Sequence, residues 1–183
     1  MRGQLLFVQG GGAGVHDEWD DELVESLRRE LGPGFEIRYP RMPNEDDPSY
    51  AAWKAAIEKE LATLDDGAFL VGHSLGGTML VNALAESPPE RRLGAIFLIA
   101  APFAGEGGWP SEELNTPPDL GARLPRGVPV YVYHGLEDAI APPSHAELYA
   151  CAIPQASVRL LPGRDHQLGN DLTEVAATIE SRE

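Results

Sequence analysis

Short apolar runs alternate with amphipathic segments along most of this chain. Helical spacing is clear after the first run, where apolar residues recur at Trp19, Leu23, Val24, Leu27 and Leu31. Six apolar runs predict strands, at residues 5–8, 35–39, 68–71, 95–99, 128–133 and 157–161. Strands that are apolar almost throughout and are separated by amphipathic helices are typical of a parallel sheet covered on both faces. We therefore predict an α/β fold, a three-layer α/β/α sandwich of about six mostly parallel strands, formed by residues 1–183 as one domain.

Capping and turn residues add detail to this outline. Asp47 followed by Pro48 predicts the start of one helix, and Asn170 predicts the start of the last one. Residues 101–127 show neither the helical nor the strand pattern. They are rich in Pro and Gly and carry only a weak helical pattern at 111–120. A long irregular segment inside a compact domain is usually functional or mobile. We expect this segment to border a binding pocket.

Three side chains are candidates for the lining of that pocket. Phe103 and Trp109 are large apolar residues within the irregular segment, which suits a pocket cover, although they could equally fill the domain's own core. His16 follows a glycine-rich loop near the start of the chain and is a weaker candidate.

The stretch Gly72-His73-Ser74-Leu75-Gly76 carries the main chemical signal. It matches G-x-S-x-G and lies directly between a predicted strand and a predicted helix. A serine at such a turn occupies a strained backbone, and the flanking glycines remove side chains that would collide there. The context predicts that Ser74 is a nucleophile. The alternative is a glycine-rich turn with an idle serine.

A serine nucleophile needs a histidine as a base and a carboxylate to hold that histidine. In this arrangement the chain order is nucleophile, acid, histidine. Asp138 follows the predicted strand 128–133, and His166 follows the last strand. Both would lie at the carboxyl edge of the sheet, as Ser74 does, and that edge is where parallel α/β sheets place their sites.

Other titratable residues compete for these roles. Glu137 is adjacent to the predicted acid, and Asp165 is adjacent to the predicted histidine, which makes contact with it unfavourable because consecutive loop residues rarely face each other. His73 and His134 lie at strand ends, where a hydrogen-bonding structural role is expected, and His145 is expected to be a solvated helix residue. No histidine or cysteine pair has convincing metal-ligand spacing, so no metal is predicted.

An oxyanion hole should complete the site with two backbone N–H groups. One is expected from Leu75, the residue after the nucleophile, and the other from the glycine-rich loop 9–14, which we assign to Gly11. The rival interpretation is a nucleotide-binding loop. No Lys-Ser/Thr pair follows the glycines, and Val15 stands where a dinucleotide motif requires glycine. No cofactor is predicted.

The composition of the chain disfavours some classes of binding partner. The formal net charge of −15 disfavours nucleic acid, which is itself a polyanion. No apolar run approaches the length needed to span a bilayer, and the short first run reads as a strand rather than a secretory leader. Cys151 is the single cysteine, so no internal disulfide can form. We expect a cytoplasmic protein that acts on a small acyl substrate, without membrane or nucleic-acid partners.

Three segments together carry a family resemblance, residues 72–77, 134–142 and 163–166. They resemble the α/β-hydrolase superfamily, and most of all its small members without a large cap, which include the retinoblastoma-binding serine hydrolase family. The resemblance implies a trimmed α/β-hydrolase fold without a large cap. It departs at Gln9-Gly10, where such enzymes often have His-Gly, so the family pattern does not itself assign the second oxyanion donor.

The resemblance further implies a triad of Ser74, Asp138 and His166, acting on small carboxylic esters or related acyl bonds. Nothing in the sequence separates esters from amides, peptides or thioesters. The alternative outside the enzymes is a non-catalytic binding module on the same fold.

Overall fold

The computed structural model describes residues 3–182, and its centre is a six-stranded sheet in which every neighbouring pair of strands is parallel. The strands are β1 (Gly3–Val8), β2 (Phe35–Arg38), β3 (Ala68–His73), β4 (Leu93–Ile99), β5 (Val130–Gly135) and β6 (Ser157–Leu161). Their order across the sheet is β2-β1-β3-β4-β5-β6. All six predicted strands are confirmed. β3 and β5 each run two residues further than predicted, because their backbones stay paired with a neighbour up to the loops that hold the site.

Helices cover both faces of the sheet. They are α1 (Asp20–Leu31), α2 (Tyr50–Leu61), α3 (Leu75–Glu86), α4 (Leu120–Arg123), α5 (Ser144–Ala152) and α6 (Thr173–Glu180). Successive side chains of a strand point to opposite faces. Leu5 and Phe7 of β1 accordingly pack with α1 and α6, whereas Leu6 and Val8 pack with α2, α3, α4 and α5. The predicted three-layer α/β/α sandwich is confirmed.

Two predicted helix starts were wrong. Ser49, not Asp47, precedes α2, and its hydroxyl oxygen accepts a hydrogen bond from a backbone N–H of the first turn. Asn170 lies in a separate 3₁₀ turn with φ +55°, and α6 begins only at Thr173. The Asp171 carboxylate accepts the N–H and hydroxyl of Thr173, and so closes a turn of its own before the helix.

The segment 101–127 leaves the carboxyl end of β4 and remains irregular. It contains a short β-bridge between Ala104 and Trp109, and one turn of helix at α4 in place of the weak helical pattern at 111–120. It lies against the sheet's own layers and forms no large cap. Within residues 3–182, no helix is long and apolar enough to cross a membrane.

The strands differ in how deeply they are buried. Every residue of β3 and β5 is buried, whereas β6 lies at the edge of the sheet and none of its residues is fully buried. Leu160 of β6 is one of the exposed large apolar residues. The loop after β3 therefore extends from the rigid centre of the sheet, and the loop after β6 extends from its margin.

Candidate active site

Ser74 occupies a sharp turn between β3 and α3. Its backbone has φ +50° and ψ −130°, a strained combination for a residue with a side chain. The glycines beside it are sterically required: a Cβ on Gly76 would lie 2.1 Å from the carbonyl oxygen of Gln9, and one on Gly72 would lie 2.5 Å from the Cα of Gly77. This is the steric reason proposed from the sequence, and it presents the serine hydroxyl at the sheet's carboxyl edge.

Ser74, His166 and Asp138 form one hydrogen-bonded line. The Nε2 atom of His166 lies 2.9 Å from Ser74 Oγ, and its Nδ1 atom lies 2.8 Å from Asp138 Oδ2. The other carboxylate oxygen of Asp138 accepts the backbone N–H groups of Ile140 and Ala141, each at 2.9 Å. Both carboxylate oxygens thus have hydrogen-bond partners. These bonds fix the plane of the carboxylate and the orientation of the His166 ring.

The environment keeps Asp138 ionised. Burial raises the pKa of this carboxyl, but hydrogen bonds from His134 and His166, with the two backbone donors, outweigh it and hold the pKa well below its usual range. His134 is fully buried, with its Nε2 atom 2.7 Å from the Ala141 carbonyl oxygen and 3.2 Å from Asp138 Oδ2. It has the hydrogen-bonding role expected of it.

The two rival carboxylates are placed differently. Asp165 turns its Oδ1 atom back to the N–H groups of Gln167 and Gly169, at 3.1 and 2.9 Å. The backbone N–H of Glu137 donates to the Arg164 carbonyl oxygen at 3.0 Å, whereas its carboxylate has no hydrogen-bond or ion-pair partner among residues 3–182. Both line the cavity above Ser74 instead of contacting the His166 ring.

His145 corrects the prediction of a solvated helix residue. It is only 4% exposed, and its Nδ1 atom accepts the backbone N–H of Phe103 at 2.7 Å. Burial, with nearby His134, lowers its pKa. Its role is to fasten the start of the irregular segment to α5, a contact that helical periodicity could not reveal because it depends on how the loop folds back.

The glycine-rich loop after β1 presents one unpaired backbone donor beside Ser74. The N–H of Gly10 donates to Asp20 Oδ2 at 2.7 Å, and the N–H of Gly12 donates to a carbonyl in the loop after β2 at 2.5 Å. Within residues 3–182 the N–H of Gly11 has no acceptor, and neither has that of Leu75, the first residue of α3. A Cβ on Gly11 would lie 2.7 Å from Leu75 Cδ2 and 3.6 Å from Leu75 Cβ, so the two residues are close neighbours.

Gln9 explains the departure from His-Gly. Its side chain is fully buried, accepts the N–H of Met42 at 2.9 Å and donates to Glu45 at 2.5 Å. Gln9 therefore ties the glycine-rich loop to the loop after β2, and the backbone beside it remains available to the site.

A cavity of about 490 Å³ lies over Ser74. Its mouth carries three apolar side chains, Trp19, Trp109 and Ile140, which are 55%, 36% and 58% exposed. The carboxylates in its lining are those of Glu137 and Asp165, and no Lys or Arg lines it among residues 3–182. A smaller cavity of about 220 Å³ adjoins it and shares Leu75 and Trp109 as walls.

The structure separates the three predicted pocket residues. Trp109 borders both cavities. Phe103 is 6% exposed and packs edge-on against Tyr149, with ring centroids 5.1 Å apart, so it belongs to the core and does not line the Ser74 cavity. The His16 ring stacks on Tyr39 at 4.1 Å and also lies outside the lining. Both placements correct the expectation, because each ring finds an aromatic partner nearer than the cavity.

One functional candidate was missed in the sequence. Asp20, the first residue of α1, is fully buried and contacts both the glycine-rich loop and His73. An acidic residue in a helix's first turn is ordinarily a solvated capping group, so local pattern gives no signal for it. Across residues 3–182, no cluster of three or more His, Cys, Asp or Glu side chains is arranged to hold a metal ion.

Solved structures share this architecture. The ydeN gene product from B. subtilis superposes with a TM-score of 0.78 and 21% identity, over 98% of each chain. The Paleococcus ferrophilus monoacylglycerol lipase gives 0.66 and 16%, over 100% of this chain and 95% of its own. An esterase domain from a Rhodothermus marinus protein gives 0.63 and 22%, over 97% and 82%. At these identities the likeness shows the fold alone.

Sequence comparison supplies the family. No curated protein matches the chain. The model of the alpha/beta hydrolase family matches residues 5–132, a range that contains Ser74 and both candidate oxyanion donors but ends before Asp138 and His166. That match covers well over half of the sequence, and this chain therefore belongs to the alpha/beta hydrolase family.

Proposed function

We propose that this protein is a serine hydrolase that cleaves small carboxylic esters through an acyl-enzyme formed on Ser74. The observation that carries the proposal is the hydrogen-bonded line from Ser74 Oγ through His166 to Asp138. The unpaired N–H groups of Gly11 and Leu75 beside it support the same chemistry.

The first half of the reaction acylates the serine. His166 Nε2 takes the Ser74 Oγ proton as the oxygen attacks the ester carbonyl carbon, and Asp138 stabilises the imidazolium that forms. The carbonyl oxygen becomes an oxyanion, which the N–H groups of Gly11 and Leu75 stabilise, with the N-terminus of α3 adding favourable dipole. The C–O bond to the alcohol then breaks, and the imidazolium gives its proton to the leaving alkoxide.

The second half returns the enzyme to its starting state. His166 takes a proton from water, whose oxygen attacks the acyl carbon and forms a second tetrahedral intermediate in the same oxyanion site. This intermediate collapses by breaking the bond to Ser74 Oγ, which recovers its proton from the imidazolium. One water is consumed, and one acid and one alcohol are released.

The names of the solved structures similar to this one favour esters over other acyl bonds as the substrate. An esterase domain and a monoacylglycerol lipase are among the similar structures, and these names describe those proteins. Amides, peptides and thioesters are the alternatives on the same three residues. Assignment to the small cap-less branch near the retinoblastoma-binding serine hydrolase family, and a cytoplasmic location, belong to this proposal as well.

The experiment that tests the function uses a fluorophosphonate probe and a substrate series. The wild-type protein should be labelled at a single serine, and it should hydrolyse short aryl esters faster than the matched anilides. Absence of labelling together with absence of ester, amide and thioester hydrolysis would reject the enzyme and leave a non-catalytic binding module.

Acyl-chain preference should depend on Trp109. This side chain lines both the 490 Å³ and the 220 Å³ cavities. We expect it to limit the space for the acyl chain, so that wild-type kcat/KM peaks at a short chain and then falls. Trp109→Ala should join the two volumes and move the peak to longer chains, since each newly buried methylene adds about 0.8 kcal/mol of binding, or about fourfold. The measurement is kcat/KM across p-nitrophenyl esters of increasing length.

The control for Trp109 is Leu160→Ala, which removes an exposed apolar side chain that lines neither cavity. It should leave the chain-length profile unchanged. A uniform fall across all esters in Trp109→Ala, in step with lost stability, would assign Trp109 to the core instead. A steady rise in wild-type kcat/KM out to long chains would indicate a lipase-like enzyme.

Substrate charge should matter as well. Glu137 and Asp165 line the Ser74 cavity with no Lys or Arg among the described lining residues, and the one buried histidine behind Ser74, His73, is paired with Asp20. An anionic ester should therefore react about five- to tenfold more slowly than its neutral isostere at low salt. Glu137→Gln combined with Asp165→Asn should narrow that gap, whereas Glu147→Gln on α5 should not. The asparagine keeps the Oδ1 acceptor of the local turn. Equal rates for the two esters in the wild type would contradict this prediction.

A further inference from the structure

A second histidine–carboxylate pair lies behind the nucleophile. Asp20 and His73 are both buried, with Asp20 Oδ1 2.8 Å from His73 Nδ1. Burial lowers the pKa of His73, but attraction to Asp20 and the hydrogen bond to the His166 carbonyl raise it overall. Burial likewise raises the pKa of Asp20, and the pairing with His73 lowers it overall. Both shifts favour the charged form of this 2.8 Å contact.

The Asp20 carboxylate joins two catalytic loops to the first turn of α1. Its Oδ2 atom accepts the N–H of Gly10 at 2.7 Å, and its Oδ1 atom accepts the side-chain amide of Gln167 at 3.3 Å. Gly10 belongs to the loop with the free Gly11 donor, and Gln167 follows the catalytic histidine. One carboxylate therefore contacts both the oxyanion loop and the histidine loop.

His73 makes the corresponding connection from the nucleophile's side. It directly precedes Ser74, and its Nε2 atom donates to the backbone carbonyl of His166 at 3.0 Å. A Cβ on Gly10 would lie 3.3 Å from Ser74 Cβ and 3.5 Å from His73 Nδ1, so the oxyanion loop rests directly on this residue pair. The oxyanion loop, the backbone of His166 and Ser74 are thus all in contact with, or bonded to, the Asp20–His73 pair.

We propose that Asp20 and His73 are positioning residues for the reaction on Ser74. By occupying the N–H of Gly10, Asp20 turns the neighbouring Gly11 N–H toward the oxyanion, and His73 holds the backbone of His166 at a fixed distance from the serine. Neither side chain exchanges a proton with substrate. The inference rests on the proposed function and extends it to a set of groups outside Ser74, His166 and Asp138.

The test compares Asp20→Asn with Asp21→Asn, which makes the same charge change one residue further along α1. Asparagine keeps the shape of Asp20 and one acceptor oxygen, but it loses the ion pair and the second acceptor. We expect kcat for an aryl ester to fall about ten- to hundredfold in Asp20→Asn, with KM within about threefold, since a misplaced oxyanion donor weakens the transition state and not ground-state binding. Asp21→Asn should match the wild type.

A thionoester series separates positioning from general destabilisation. The developing charge is then on sulfur, which accepts hydrogen bonds from the oxyanion donors poorly, so the loss in Asp20→Asn should be at least about fivefold smaller for the thionoester than for the oxygen ester. Equal losses on the two substrates, or kcat within about twofold of Asp21→Asn in a folded protein, would overturn the proposal.

His73→Gln keeps the inference testable if Asp20→Asn does not fold. Its amide can still donate toward the His166 carbonyl, and Asp20 keeps its bond to Gly10, so we expect a smaller loss of kcat and the same contrast between substrates. Failure of both variants to fold, judged by circular dichroism, would assign the pair to stability and overturn the proposal. A wild type without esterase activity would instead reject the proposed function itself.

Discussion

Ser74→Ala should abolish fluorophosphonate labelling and lower kcat for aryl esters by on the order of 10⁶. The oxygen that attacks the carbonyl is removed, and the remaining oxyanion donors can assist only a weak attack by water. Mass spectrometry of the labelled wild type should place the adduct on the peptide containing Ser74. Fold integrity should be retained, because the alanine fits the space of the serine.

A matched control for this variant is Ser87→Ala, at the opposite end of α3. It should be labelled and should hydrolyse esters at the wild-type rate. Equal labelling of Ser74→Ala and the wild type would show that the nucleophile is another residue, and the proposed mechanism would fail with it.

Asp138→Asn should lower kcat by on the order of 10⁴, with little change in KM. An amide cannot both accept from His166 Nδ1 and stabilise the imidazolium with a negative charge, so the ring loses its productive tautomer. Asp165→Asn should have a far smaller effect, because Asp165 faces a backbone turn and not the ring. A more damaging Asp165→Asn would reverse the assignment of the acid.

The pH dependence of stability follows from the same carboxylate. The folded-state pKa of Asp138 is lowered relative to an ordinary carboxyl. Its stabilising contribution is therefore fully present above the ordinary carboxyl pKa and is lost as the pH falls through the folded value. Asp138→Asn should accordingly narrow the difference in the free energy of unfolding between neutral and acid solution, measured by urea titration.

The local pattern of apolar residues and glycines was enough to predict the sheet and the sharp turn at Ser74. Strands of a parallel sheet covered on both faces are apolar almost throughout, and the six apolar runs show this directly. The requirement for glycine at Gly72 and Gly76 is likewise local, because their Cβ atoms would strike backbone only a few residues away or on the adjoining strand. The chain order of Ser74, Asp138 and His166 came from the known arrangement of this motif, and their common position at the carboxyl edge of the sheet followed from the parallel topology.

The contacts of the site that the sequence did not reveal join distant segments. Asp20 meets Gln167 across 147 positions, and Phe103 meets His145 across 42. Their partners are chosen by how loops pack after the sheet has formed, and neither residue type nor spacing encodes that choice. An acidic helix start and a histidine on a short helix look solvated until the tertiary fold buries them.

Finally, β6 lies at the edge of the sheet, partly exposed, and it carries the loop that holds His166, whereas the wholly buried β3 carries Ser74. Edge elements open locally at lower free energy than central ones. Fraying of β6 would move His166, the proposed base, away from Ser74, which β3 would hold in place. On the proposed mechanism, we therefore expect ester hydrolysis to be lost on heating at a lower temperature than the cooperative unfolding of the central strands.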